Sequence, residues 1–153
     1  MTRLLRDDRL SALLRLVLGI MFLYAAIPKI SDPRQLAEDV ANYQLLPEAL
    51  VHAMAALLPT VELAVAAALL LGLAPRGAAL ACAGMMVMFL VAEGLALARG
   101  IDIRCGCFGA DSESISAGTL IRNLLLLAAA GHVALFDRGR LSFIALARSA
   151  DRS

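Results

Sequence analysis

The sequence predicts an all-α integral membrane protein, a four-transmembrane-helix bundle with a short interfacial helix in its first outer loop. Apolar residues make up 61% of the 153 residues, well above the roughly 45–50% of soluble domains, and the mean hydropathy is +0.80. Apolar runs cover residues 10–27, 50–73, 78–98 and 117–136. At a rise of about 1.5 Å per residue, each run is long enough to cross roughly 30 Å of hydrocarbon.

The interfacial helix is predicted in the connection between the first two runs. Ser31-Asp32-Pro33 is typical of a helix start, because the fixed φ of Pro33 suits the first helical position. Apolar side chains then recur every three to four residues, which indicates one apolar helix face: Leu36, Val40, Tyr43 and Leu46. We expect Pro47 to end this helix on the membrane surface.

Basic residues predict how the chain is oriented in the membrane. They are more numerous at the two termini and in the turn at residues 72–77 than in the two other connections. The positive-inside rule therefore predicts a multi-pass protein with both termini cytoplasmic and residues 99–116 outside. In a bacterial host this is a protein of the cell inner membrane whose residues 99–116 are periplasmic. Residues 1–137 are expected to form one membrane domain, and 138–153 a cytoplasmic tail with an interfacial helix.

Charge and histidine content narrow the classes of partner. The chain has 14 basic and 13 acidic residues, so it lacks the concentrated basic face that nucleic acid binding needs. His52 and His132 have no partner at metal-ligand spacing, and no metal site is predicted. The expected partners are the lipid bilayer and a protein on the periplasmic side.

The candidate reactive group is the Cys105-Gly106-Cys107 segment in the loop before the fourth run. Two thiols this close can form a small, strained disulfide, and the charge of Arg104 favours the nucleophilic thiolate. Thiolates also bind soft metals such as Cu(I) or Hg(II), and a structural crosslink is a third interpretation. Cys82, among small residues of the third run, is expected to be a packing residue.

Ionisable residues inside the runs are a second group of candidates, because charges within a membrane are costly and suggest function. Lys29, Glu62 and Glu93 are expected to converge beneath the cysteine pair, while Arg104 directly precedes it and supports it electrostatically. There they would exchange protons with the thiols or orient a quinone-like acceptor. The alternative is a polar clamp in which Glu93 pairs with Lys29 or Arg122. Arg15, near the start of the first run, is expected to extend to the lipid headgroups.

Short motifs distributed along residues 10–136 resemble those of the MauE family of MauE/DoxX-like membrane proteins. They are Phe22–Lys29, Asp32-Pro33, Asn42–Pro47, Leu58-Pro59 with Glu62-Leu63, Arg99–Asp102 with Cys105–Gly109, and Arg122-Asn123. The resemblance implies a redox-associated maturation factor of methylamine utilisation or a related system, which helps disulfides form in the small subunit of periplasmic methylamine dehydrogenase or supplies reducing equivalents for its maturation. Cys105 and Cys107 would be the exchanging pair, and a thioredoxin-like partner would supply the second dithiol.

Overall fold

A computed structural model describes residues 8–101 and 117–137, which form helices and, within these ranges, no strand. The helices are α1 Asp8–Ser31, α2 Pro33–Asn42, α3 Glu48–Leu71, α4 Pro75–Ala98 and α5 Ala117–Phe136. All but α2 are long and apolar enough to cross a membrane. The prediction of an all-α protein with four membrane-spanning helices is therefore confirmed. The tail at residues 138–153 lies outside the described residues.

The four long helices form a closed ring in the order α1, α3, α4, α5. The most extensive packing joins α1 to α3 and α4 to α5, and the ring is closed by contacts between α3 and α4 and between α1 and α5. One end, where α4 ends and α5 begins, is called here the loop end, because the chain between them carries the cysteine pair. The other, where α1 begins and α5 ends, is called the terminal end.

The bundle exposes large apolar side chains and buries charged ones. Leu80, Leu125 and Leu135 are each more than 60% exposed, whereas Lys29 and Glu93 are almost completely buried. Hydrocarbon tails accept such an apolar exterior without the penalty that water would impose. The inverted distribution agrees with a bundle whose surroundings are lipid.

Close packing of α1 on α3 depends on Gly19. A Cβ atom at this position would lie 2.8 Å from Cγ of Leu70 and 3.4 Å from the backbone oxygen of Ala66. Small residues at such crossings let the backbones of membrane helices approach one another. This contact fixes the relative height of α1 and α3, and with it the height of the charged residues nearer the loop end.

The start of α2 follows its sequence signals, and its end does not. Asp32 is the N-cap and accepts a hydrogen bond from the backbone N–H of Gln35 at 3.0 Å, with Pro33 directly after it. The helix ends at Asn42, because Gln44 adopts a left-handed φ of 52°. Pro47 instead precedes α3 as its N-cap residue, so the expectation that it ends α2 was wrong. The position of α2 at the membrane surface remains a prediction.

The first span is longer than the apolar run that predicts it. α1 continues through Pro28 and Lys29 to Ser31, and its last turn is stabilised by a hydrogen bond from the Ser31 hydroxyl to the carbonyl oxygen of Ile27 at 3.0 Å. The backbone N–H of Asp32 likewise donates to the carbonyl oxygen of Pro28 at 3.0 Å. Lys29 is consequently part of the helix and lies inside the bundle.

Candidate functional site

A buried ion pair links the last turn of α1 to the middle of α3. Nζ of Lys29 donates a hydrogen bond to Oε1 of Glu62, and the two side chains are 2% and 1% exposed. The same ammonium group lies 5.3 Å from the centroid of the Phe89 ring on α4, within the range of a cation–π contact. Separating two charges in an apolar bundle is unfavourable, so the pair holds α1, α3 and α4 in a fixed relation.

A second buried carboxylate is held between α4 and α5. Nδ2 of Asn123 donates to Oε1 of Glu93 at 2.8 Å, and both residues are almost completely buried. The positive charge of Arg122, next to Asn123 on α5, also acts on Glu93. Glu93 is therefore hydrogen-bonded to Asn123 and attracted by the charge of Arg122, both from the same helix.

A small cavity lies between these two pairs. Its volume is about 20 Å³, and its lining includes Lys29, Glu62, Phe89 and Asn123. Oε2 of Glu62 is buried and has no hydrogen-bond partner among the described residues. We call Lys29, Glu62, Glu93 and Asn123 the loop-end cluster, since each lies in the half of its helix nearer the loop end or at mid-helix.

Asp39 of α2 and Tyr43, the residue that follows this helix, extend the cluster towards the loop end. Asp39 is buried and accepts a hydrogen bond from Nε2 of Gln35 at 3.1 Å. Tyr43 follows one turn later, and burial raises the pKa of its hydroxyl above the ordinary value, with the negative charges of Glu93 and Asp39 adding to the effect. The Tyr43 hydroxyl therefore keeps its proton well above neutral pH.

A larger pocket of about 340 Å³ lies beside these two residues, between α2, α3 and α4. Most of its lining is apolar, including Leu36, Met54 and Leu58, while Asp39 and Tyr43 supply polar groups. We call it the α2 pocket. Because Phe89 lines both this pocket and the small cavity, its ring forms part of the wall between them.

A separate set of polar contacts closes the terminal end. Nη1 of Arg15 donates to Oδ2 of Asp137 at 3.3 Å in a buried ion pair, and Nε of Arg76 donates to the backbone oxygen of Asp137 at 3.0 Å. The Ser11 hydroxyl lies 3.4 Å from Nε2 of His132. The expectation that Arg15 extends to the lipid headgroups was wrong, because Asp137 offers it a partner inside the bundle.

The structure assembles part of the predicted site. Lys29, Glu62 and Glu93 lie in the bundle interior as expected. Of the two partners predicted for Glu93 in a polar clamp, Lys29 pairs with Glu62 instead, whereas the charge of Arg122 does act on Glu93. Arg104, Cys105 and Cys107 lie outside the described residues. Cys82 is completely buried in α4, as expected of a packing residue.

Sequence reasoning missed the roles of Asn123 and Asp39. Asn123 is a polar residue in an apolar run, a signal that was available but was used only for family resemblance. Asp39 lies between Leu36 and Tyr43 at three- and four-residue spacing, so the apolar periodicity of α2 already placed it on the buried face. What the periodicity could not supply was the helix that this face contacts.

Comparison with known proteins identifies the family. The sequence model described as "Methylamine utilisation protein MauE" matches residues 7–136. The chain is 34% identical over 119 residues to the methylamine utilization protein MauE of Paracoccus denitrificans, covering 76% of this chain and 64% of that protein. It is 38% identical over 106 residues to the protein of that name from Methylorubrum extorquens, covering 69% and 57%.

A third relative extends the match over more of the chain. The methylamine utilization protein MauE of Paracoccus versutus is 35% identical over 143 residues, which is 92% of this chain and 77% of that protein. The matched part covers less than two thirds of the other two relatives. No solved structure matches the chain. The family match over nearly all described residues, on a bundle with four helices able to cross a membrane, shows that the chain belongs to the MauE family.

Proposed function

We propose that the chain is an accessory membrane protein of methylamine utilisation that exchanges disulfides with a periplasmic protein. The partner would be a thioredoxin-like protein or a client with disulfides, such as the small subunit of methylamine dehydrogenase. Family membership and the printed names of the relatives support the link to methylamine utilisation. The exchange itself is inferred from Cys105 and Cys107 and from the chemistry of the bundle end to which they are attached.

The observation that carries the proposal is the position of the loop-end cluster. The chain leaves α4 at Ala98 and enters α5 at Ala117, so the segment with the two cysteines is attached to the end where Glu93 and Asn123 are buried. Buried ionisable groups at one end of a membrane bundle are unfavourable unless they serve structure or function. Since the cysteine segment is attached to this end, we assign these groups the role of taking up or delivering the protons of thiol chemistry.

The proposed reaction is thiol–disulfide exchange in two steps. A thiolate of Cys105 or Cys107 attacks one sulfur of the partner's disulfide, forming a mixed disulfide and releasing a partner thiolate that takes up a proton. The second cysteine then attacks the mixed disulfide, which leaves a Cys105–Cys107 disulfide and a partner dithiol. Two electrons and two protons pass to the partner, and the reverse sequence oxidises a client dithiol.

Trapping the mixed disulfide tests the proposal. In C105A or C107A, the chain has no second cysteine of the pair to attack the mixed disulfide. A covalent complex with the partner should therefore accumulate and appear on non-reducing gels and in mass spectra. C82A is the matched control, because Cys82 is buried in α4 and should trap nothing. Growth on methylamine, with each variant as the sole copy, should fail for C105A and C107A and persist for C82A.

Two outcomes would remove the proposal. If C105A and C107A trap no protein and both support growth, disulfide exchange is not the function, and a scaffold that docks other proteins fits better. If the purified protein binds Cu(I) or Hg(II) tightly at one ion per chain through both cysteines and shows no exchange, metal handling replaces it.

A further inference from the structure

The small cavity between the two buried pairs has the size of a site for one water molecule. Its volume of about 20 Å³ exceeds the roughly 10–15 Å³ that a single water requires, and it is far below the roughly 300 Å³ at which small-molecule sites begin. The lining comes from all four long helices, with Ala25 on α1, Glu62 on α3, Phe89 on α4 and Asn123 on α5. The cavity therefore lies where the four helices meet.

Three residues that line the cavity carry polar groups with unused hydrogen-bonding capacity. Oε2 of Glu62 is buried and has no partner among the described residues. The ammonium group of Lys29 has three N–H donors, of which one is used by Oε1 of Glu62. Asn123 donates to Glu93 through Nδ2, which leaves its Oδ1 as an acceptor. A buried water needs two to four polar partners, and these residues provide three.

The charges around the cavity favour a neutral occupant that forms hydrogen bonds. The ammonium group of Lys29 repels a cation, and the carboxylate of Glu62 repels an anion. Cavities remain dry when their lining is apolar, but here a dry cavity would leave a buried carboxylate oxygen without a hydrogen bond, which is costly. Water is the molecule of this size that both donates and accepts.

We propose that this cavity binds one water molecule, which accepts a hydrogen bond from Nζ of Lys29 and donates to Oε2 of Glu62 and Oδ1 of Asn123. The water joins the Lys29–Glu62 pair to the Asn123–Glu93 pair, so the loop-end cluster becomes one hydrogen-bonded network with members on all four long helices. Asn123 is the link, because its amide nitrogen contacts Glu93 and its amide oxygen holds the water. The water site rests on these four residues and does not depend on the proposed function.

A high-resolution crystal structure of the full chain tests the site directly. One density peak should lie about 2.7–3.2 Å from each of Nζ of Lys29, Oε2 of Glu62 and Oδ1 of Asn123. Ordered side chains without such a peak, or a peak that Asn123 does not contact, would overturn the proposal. A peak at the roughly 2.3–2.6 Å of a cation–oxygen contact would identify an ion and overturn it as well.

Two substitutions of similar shape at Ala25 test the water in solution. Ala25 lines the cavity, so A25V and A25T both fill it and expel the water. The threonine hydroxyl can replace a hydrogen bond of the water, whereas valine leaves Oε2 of Glu62 without one. The midpoint of thermal unfolding of A25V should therefore lie roughly 5 °C or more below that of A25T. A25T itself should be no more stable than the wild type, whose water already satisfies Glu62.

The same two substitutions at Ala129 provide the control. This residue packs against the apolar core and does not line the cavity, so A129V should be at least as stable as A129T, because a hydroxyl is unfavourable there. An A25V midpoint equal to or above that of A25T would mean that the cavity needs no hydrogen-bonding occupant. An A25T midpoint above that of the wild type would mean that Glu62 lacks a partner in the wild type. Either result would overturn the proposal.

Discussion

Replacing Lys29 by methionine should destabilise the bundle more than any other single change to the loop-end cluster. The substitution keeps an unbranched side chain of similar length and removes the ammonium group that hydrogen bonds with Glu62. Glu62 is 1% exposed and lies about 20 Å along α3 from its first residue, Glu48, and about 14 Å from its last, Leu71. Its carboxylate therefore cannot reach the surface, and no other ion pair with it occurs in the described part of the chain.

The magnitude follows from leaving one buried charge without its partner. Such changes reduce the free energy of unfolding by about 3–5 kcal/mol, which corresponds to a fall in Tm of roughly 6–20 °C for a chain of this size. The reciprocal change, E62M, should lower it by only about 1–3 kcal/mol. Lys29 is in the last turn of α1, so its long side chain can extend to the loop end when Glu62 is absent. The double variant K29M/E62M should recover most of the loss, because an apolar pair replaces the ion pair.

Cys82 provides the assay. It is completely buried in α4, and in a C105A/C107A background it is the sole thiol of the chain. A thiol-reactive dye that fluoresces on coupling therefore reports unfolding as the detergent-solubilised protein is heated. R34M and E48M are matched controls, because both remove exposed charges near the same end, and each should shift the midpoint by less than about 2 °C.

Two results would refute this reasoning. A K29M midpoint equal to that of R34M would mean that the ion pair contributes nothing to stability. A double variant no more stable than K29M would mean that the loss comes from packing around the lysine side chain, and not from the uncompensated carboxylate of Glu62.

Three further predictions concern other parts of the bundle. Asp137→Ala removes the ion-pair partner of Arg15 at the terminal end, and in the same thermal assay it should lower the free energy of unfolding by about 3 kcal/mol. Its effect should add to that of K29M, because the two sites share no partner. A strongly non-additive result would contradict two separate clusters. Gly19→Ala should lower the midpoint because its Cβ would clash with Leu70, whereas Gly84→Ala, with nothing within 4 Å, should not; equal midpoints would contradict the close crossing. In Y24F, where Tyr43 is the sole tyrosine, absorbance titration should show no phenolate in the folded protein at pH about 10. Because the pKa of Tyr43 is raised in the folded state, its contribution to stability should be fully present below that pH and decrease above it. A normal titration curve would contradict the burial of Tyr43.

The sequence by itself determined the number of spans and the start of α2. Both depend on local physics: a run of about 20 apolar residues crosses the hydrocarbon whatever its neighbours are, and Asp32 with Pro33 satisfies and orders the first turn of a helix without help from the rest of the chain. The cysteine pair was likewise evident from the sequence, because two thiols separated by one glycine carry their chemistry with them.

Only the tertiary structure decided which charges are partners. Lys29 joins Glu62 and not Glu93, and Arg15 turns inward to Asp137, 122 positions away. The α2 pocket exists because α2 packs beside α3 and α4 at the loop end. These features depend on the order of the helices around the ring and on their relative heights, which the packing at Gly19 helps to fix. Hydrophobic periodicity shows which residues of a helix turn inward, but neighbouring helices meet through contacts far apart in sequence, and no local pattern encodes them.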